Sequence, residues 1–224
     1  GGSANSDVIS SGAGADTING NGGADLLTGG AGFDSFNFSV VGAAIAGNAG
    51  TLTPATSYSQ IVDLAVGTTA ATSDRVNVAH GVAFTGAANG LTDINGTAIA
   101  AAGAVVQSAI AGGQVLTLGN TVNFLKFTNA ATTAAGATAD AAFDSVIGAG
   151  SIVSAAAAAS ADIMATFYDA ANQQAVFGYI AEAAGAAAIT SADQFNVLST
   201  IAMTAAAYAN FGANQISFAA AATL

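Results

Sequence analysis

The chain has 224 residues and a formal charge of −11, with two basic residues, Arg75 and Lys126, against 13 acidic ones. So few cations exclude a nucleic-acid partner, whose affinity comes from counterions released by Lys and Arg, and an anionic membrane surface would repel the chain. The absence of cysteine excludes disulfides and thiolate metal sites.

Residues 1–38 are governed by a repeat. Asp7, Asp16, Asp25 and Asp34 stand nine residues apart, and each is followed two positions later by a bulky apolar residue, Ile9, Ile18, Leu27 and Phe36. Glycine precedes the aspartate by two residues at Gly14, Gly23 and Gly32, with Asn5 in the first copy, and further glycines such as Gly12 and Gly30 precede it by four. Glycine, and after it Asn, tolerates the positive φ that such tight turns need. Between the turns, three-residue pieces such as Asp16-Thr17-Ile18 alternate outward and inward, as a very short strand does. The period predicts a parallel β-roll in which each nonapeptide is one turn, apolar residues stack inside and the four carboxylates line up along one edge.

After Phe38 the repeat stops, and residues 39–224 are rich in Ala, Gly and Thr. Strands are predicted over 59–65, 74–79, 114–118, 122–128, 163–169 and 174–180, the last two joined as a hairpin through 170–173. Short helices are predicted over 140–146, 155–164 and 191–198. The fold class that follows is all-β: a β-roll of residues 1–38 continuing into an Ala/Gly-rich β cap of residues 39–224 with a few short helices. No apolar run approaches the roughly 20 residues that span a bilayer. The opening Gly1-Gly2-Ser3, without Met or a basic stretch, predicts a processed or partial chain.

A hard cation such as Ca²⁺ takes six to eight oxygens from carboxylates and carbonyls. A Gly-rich turn supplies the carbonyls and the aspartate supplies the charge, so a site must borrow from two turns, and folding and ligation become one event. A flexible Gly/Asp linker would have no reason to keep four copies in phase. Residues 3–37 resemble the repeats-in-toxin nonapeptide, Gly-Gly-x-Gly-x-Asp-x-U-x with U large and apolar, best in the stretch Gly29-Gly30-Ala31-Gly32-Phe33-Asp34-Ser35-Phe36-Asn37. The resemblance implies calcium ligands at Asp7, Asp16, Asp25 and Asp34, with backbone oxygens from Gly12, Gly14, Gly23, Gly30 and Gly32. Asp63 and Asp74 are candidates for further ligands, with solvated loop acids as the preferred reading.

The single histidine, His80, reads as a strand-end or loop residue, and neither His-Glu-x-x-His nor Gly-x-Ser-x-Gly occurs. Asp140 and Asp144 share a helix face as surface acids, and Tyr168 and Tyr179 read as packing rather than as a carbohydrate platform. No catalytic residue is assigned, and an enzyme is not expected. Order and composition over 61–64, 74–78, 167–180 and 192–195, and the tail with Ile216-Ser217-Phe218 and Thr223-Leu224, are similar to the closing region and C-terminal export signal of proteins that leave by type I secretion. The chain most resembles the C-terminal part of a calcium-dependent surface-layer protein of Gram-negative bacteria. That resemblance implies a secreted, cell-surface structural protein whose partners are calcium, copies of itself in a lattice and, as a candidate, a cell-surface glycan. The alternatives are the export or anchoring end of an adhesin, the export domain of a secreted hydrolase, and a filament subunit.

Overall fold

The computed structural model describes residues 1–38, 52, 58–80, 91–99, 104–154, 162–182 and 188–220. In chain order the strands are β1 (Val8–Ala13), β2 (Thr17–Asn19), β3 (Leu26–Ala31), β4 (Ser35–Phe38), β5 (Gln60–Ile61), β6 (Arg75–His80), β7 (Gln107–Ile110), β8 (Val115–Leu118), β9 (Phe124–Ala131), β10 (Ser151–Ser154), β11 (Asp162–Asp169), β12 (Gln174–Ala181), β13 (Gln194–Ala202) and β14 (Ile216–Ala220). Two α-helices are described, α1 (Ala139–Ile147) and α2 (Ala205–Asn210). None of the described helices is long and apolar enough to cross a membrane. The expected all-β roll with a few short helices is the fold observed.

The roll is a pair of parallel ladders. On one side Leu27 of β3 aligns with Ile9 of β1; on the other, Phe36 of β4 aligns with Ile18 of β2. Aligned residues are therefore 18 apart, so one coil takes two nonapeptides, which corrects the one-copy-per-turn reading. A three-residue strand and a six-residue turn carry the chain only across to the opposite sheet, and a second copy is needed to bring it back. The aspartates consequently fall on two edges, Asp7 with Asp25 and Asp16 with Asp34, rather than on one.

The nonapeptide ends at Phe38, but both ladders continue. Ile61 of β5 pairs with Leu27, and Val76 of β6 pairs with Phe36. From there β13 extends the first sheet and β14 the second, giving orders β1-β3-β5-β13-β12-β11-β9-β7 and β14-β6-β4-β2. Inside, Ile18, Leu27, Phe36, Ile61 and Val76 are all buried and join one apolar cluster between the two sheets with Phe177, Tyr179, Ile201 and Phe218. The opposite face of the larger sheet packs against α1 through a second cluster, where Phe143 meets Phe127 edge-on at 5.7 Å and Phe195 at 5.5 Å. A sheet covered on both faces needs nearly continuous apolar strands, and β11, β12 and β13 are buried along almost their whole length.

The helix expected at 140–146 is α1. Thr138 caps it by accepting from the amide of Ala141 at 3.2 Å, and Gly148, at φ 56°, ends it with its amide on the carbonyl of Asp144. The helix expected over 191–198 is not formed: residues 194–202 are β13, paired antiparallel with β12 and parallel with β5. Phe195, Val197 and Ile201 gain burial in the sheet that a short isolated helix could not provide. Of the helix expected over 155–164, residues 155–161 lie outside the described residues and 162–164 begin β11. The strand expected at 59–65 shrinks to β5, whereas the hairpin through 170–173 forms as read. Its signal was Asp169, whose Oδ1 accepts from the amides of Ala171 and Asn172 at 3.1 and 3.3 Å, turning the chain. Of the tail read as an export signal, Ile216-Ser217-Phe218 lie in β14, and Thr223-Leu224 lie outside the described residues.

Candidate metal centre

Each turn of the roll is fastened to the next by the same contact. The amide of Asp7 donates to Asp25 Oδ1 at 3.0 Å on the first edge, and the amide of Asp16 donates to Asp34 Oδ1 at 2.9 Å on the second. The aspartate thus does two jobs: one oxygen ties down the preceding coil, and the other is left for a different partner. Asp25 and Asp34 are both 1% exposed, so the second oxygen cannot rely on bulk water.

The glycines are placed as the turn chemistry requires. Gly12, Gly14, Gly23, Gly30 and Gly32 all have φ between 101° and 142°. At Gly30 a Cβ would lie 1.8 Å from the carbonyl oxygen of Gly12, and at Gly32 1.9 Å from that of Gly14. Carbonyl oxygens of one coil therefore project at the backbone of the next, where only glycine leaves room. This stacks oxygen-rich turns over one another beside the carboxylates.

The electrostatics of this stack are unbalanced. Burial raises the pKa of Asp25, against the hydrogen bonds from the Asp7 amide and the Ser59 hydroxyl, and the neighbouring Asp7 carboxylate adds to the rise. Asp7, at the exposed end of the roll, is lowered by the Ser3 amide and hydroxyl, which bond it at 2.5 and 2.9 Å. Asp16 Oδ2 and Asp34 Oδ2 are buried and have no hydrogen-bond partner. A buried carboxylate oxygen without a donor or cation is costly, and a hard cation ligated by oxygen is the group that would offset it. Among the described residues no three Asp, Glu or His side chains converge as a ligand set, so backbone carbonyls have to complete any coordination shell. The donor set is all oxygen, part carboxylate and part carbonyl, which suits calcium.

The RTX calcium-binding nonapeptide repeat matches residues 1–36 in four copies. The amino-terminal roll is an RTX calcium-binding roll. No curated protein and no solved structure gives a significant match to the chain. The cation of the RTX repeats is Ca²⁺, and in this chain Asp7 with Asp25 and Asp16 with Asp34 are the pairs that the two edges bring together.

Sequence reasoning placed Asp63 and Asp74 outside the RTX roll as solvated acids, and here the structure differs. Asp74 is 2% exposed, and its Oδ1 accepts from the amide of Asp34 at 2.9 Å, in the same way as Asp34 holds Asp16. Its Oδ2 accepts from the amide of Ala65 at 2.7 Å. Asp63 replaces the glycine column: its two oxygens accept from the amides of Gly29 and Gly30 at 2.9 and 2.8 Å. Burial raises the pKa of Asp74 most, offset by the amides of Ala65 and Asp34, and the carboxylates of Asp34 and Asp63 push it further up. The signal was present in Asp74-Arg75-Val76, which keeps the aspartate-to-apolar spacing of the repeat after its glycines are gone. Ser59-Gln60-Ile61 keeps it too, with serine in the aspartate position. The second edge therefore runs Asp16, Asp34, Asp74, and the first runs Asp7, Asp25, Ser59.

The remaining residues singled out in the sequence lie elsewhere. Asp140 Oδ1 accepts from the amide of Phe195 at 3.1 Å, tying α1 to β13. Burial and the Asp140 charge raise the pKa of Asp144. His80 is the last residue of β6. Tyr168 and Tyr179 are both buried in the apolar cluster between the sheets.

Proposed function

We propose that this chain is a structural, non-catalytic protein of the cell exterior, a surface-layer subunit that folds and assembles when it meets calcium. The observation that supports this best is the pair of buried, unpartnered oxygens, Asp16 Oδ2 and Asp34 Oδ2, beside the parallel ladder of β2, β4 and β6. Without a cation the roll carries that cost in every coil. Inside a cell, free calcium is too low to offset it and the chain stays open for export through a narrow channel. Outside, mass action stabilises the native state by about 2.7 kcal/mol per site at a hundredfold excess over Kd.

The lattice role draws on two further features. With 7% charged residues, neighbouring copies repel one another little, and calcium reduces the net charge of −11. Among the described residues β1 and β2 each end their sheet, and a parallel edge of this kind pairs with a further coil, of the same chain or of another copy. Negative-stain images with calcium and after chelation test this directly: ordered two-dimensional arrays that dissolve on chelation are expected. Calcium binding without arrays would favour an export or anchoring segment of an adhesin or hydrolase, and ribbons would favour a filament.

A further inference from the structure

We propose that the second edge of the roll carries one more calcium position beyond the RTX repeats, in the gap between the turn that carries Asp34 and the coil that carries Asp63 and Asp74, and that the first edge has no counterpart. The proposal rests on the calcium reading above and extends it to residues that no repeat contains. It begins from the register: the amide-to-carboxylate bond from Asp34 to Asp74 has the same length, 2.9 Å, as the bond from Asp16 to Asp34. The fold therefore treats Asp74 as the next aspartate of the column, although 40 residues separate it from Asp34 where the repeat allows 18.

The gap is also more acidic than any gap within the repeats. Asp63 grips the amides of Gly29 and Gly30, and Asp34 Oδ2, buried and unpartnered, lies against Gly29, 2.3 Å from where its Cβ would be. Asp34 and Asp63 therefore flank the same glycine from two coils, and Asp74 closes the third side. Asp34, Asp63 and Asp74 all border this gap, although among the described residues no three side chains converge into a ligand set by themselves, so carbonyl oxygens of the stacked turns would complete the shell. The hydrogen bonds to these carboxylates come from neutral backbone amides, and neither basic side chain answers them: Lys126 donates to the carbonyl of Ala209 at 2.8 Å, and the Nε of Arg75 is buried without a partner. A calcium-sized divalent cation meets both the charge and the open oxygen.

On the first edge the corresponding position is closed by a hydroxyl. Ser59 Oγ lies 3.2 Å from Asp25 Oδ2, to which it donates, and 3.3 Å from the carbonyl oxygen of Gly23, and it accepts from the amide of Asp25 at 3.2 Å. The oxygens that would face an ion there are already bridged by a neutral group, and serine stands in this column where the second edge has Asp74. The roll therefore ends asymmetrically, sealed by serine on one edge and by a metal on the other.

The test counts ions on the full chain. Equilibrium dialysis against CaCl2 with elemental analysis should give one ion fewer per chain for the double variant Asp63→Asn/Asp74→Asn than for the wild type, with a several-fold higher calcium midpoint for folding. An unchanged count in a folded double variant would overturn the proposal. Should the variant fail to fold, crystals of the wild-type chain grown in calcium decide by anomalous density. A peak in the Asp34–Asp74 gap with none between Asp25 and Ser59 is expected. Peaks confined to the gaps between repeats overturn this position alone, whereas the absence of any peak overturns the calcium reading together with it.

Discussion

The amide of Asp34 bonds to the carboxylate of Asp74 across 40 residues at 2.9 Å, the distance at which Asp16 bonds to Asp34 across 18. A contact specified by a short repeat is thus reproduced by a longer, unrelated loop. What recurs is the position of the aspartate relative to the stacked coil, and that position governs the predictions below.

Asp25 sits in the middle of its edge, taking the Asp7 amide and the Ser59 hydroxyl. Asp25→Ala removes a proposed calcium ligand and strands both donors, so the calcium midpoint of folding should rise at least tenfold. Asp140→Ala loses one bond to the Phe195 amide, about 1 kcal/mol, and should shift the same midpoint less than threefold. Calcium titrations followed by circular dichroism compare the two. Equal midpoints would count against the site.

Gly30 has φ 101°, and a side chain there would strike the Gly12 carbonyl oxygen. Gly30→Ala should cost roughly 3 kcal/mol or more, since backbone strain and a steric clash add. Gly136, at φ 84° with open space around its Cβ position, should cost only about 1 kcal/mol on the same change. Denaturant titration at saturating calcium measures both.

Asp162 is pushed up from 3.8 to about 6 by burial and by the charge of Glu182. The folded state thus holds this proton more tightly than the unfolded state does. Its contribution favours folding most below pH 3.8 and is lost as the pH rises to about 6. Asp162→Asn should therefore match the wild type near pH 4 and exceed it above pH 6, by roughly 1 to 2 kcal/mol once solvent screening of this half-buried group is allowed for. Melting curves from pH 4 to 7.5 at fixed excess calcium show whether the gap opens in that window.

Chelation at neutral pH should unfold the roll and release the strands docked on it, because β5 and β6 join the roll to β13 and β14. A far-ultraviolet dichroism spectrum that is unchanged in excess EDTA would contradict the coupling of metal and fold.

The aspartates and glycines of the roll were legible because a tight turn admits few residue types and a repeat multiplies a weak signal. The pairing of Asp7 with Asp25 rather than with Asp16 was not legible: a period states how far apart equivalent residues lie, not on which side of the coil they land. Asp63 and Asp74 were hidden because the coil they complete has lost its glycines and keeps only the spacing to Ile61 and Val76. In the cap, β11 and β12 could be read from their β-branched and aromatic runs. Residues 194–202 could not, because their strand exists through its neighbours β12 and β5 rather than through local preference.

Two late strands, β13 and β14, dock on the coil that β5 and β6 begin: Ile201 beside Ile61 and Ile216 beside Val76, each pair 140 residues apart. Contacts of that sequence separation form slowly, since a long loop must close before they contribute. The coil that β5 and β6 begin therefore waits, half-finished, for residues 140 positions further along, and the roll beneath it is capped only once they have docked.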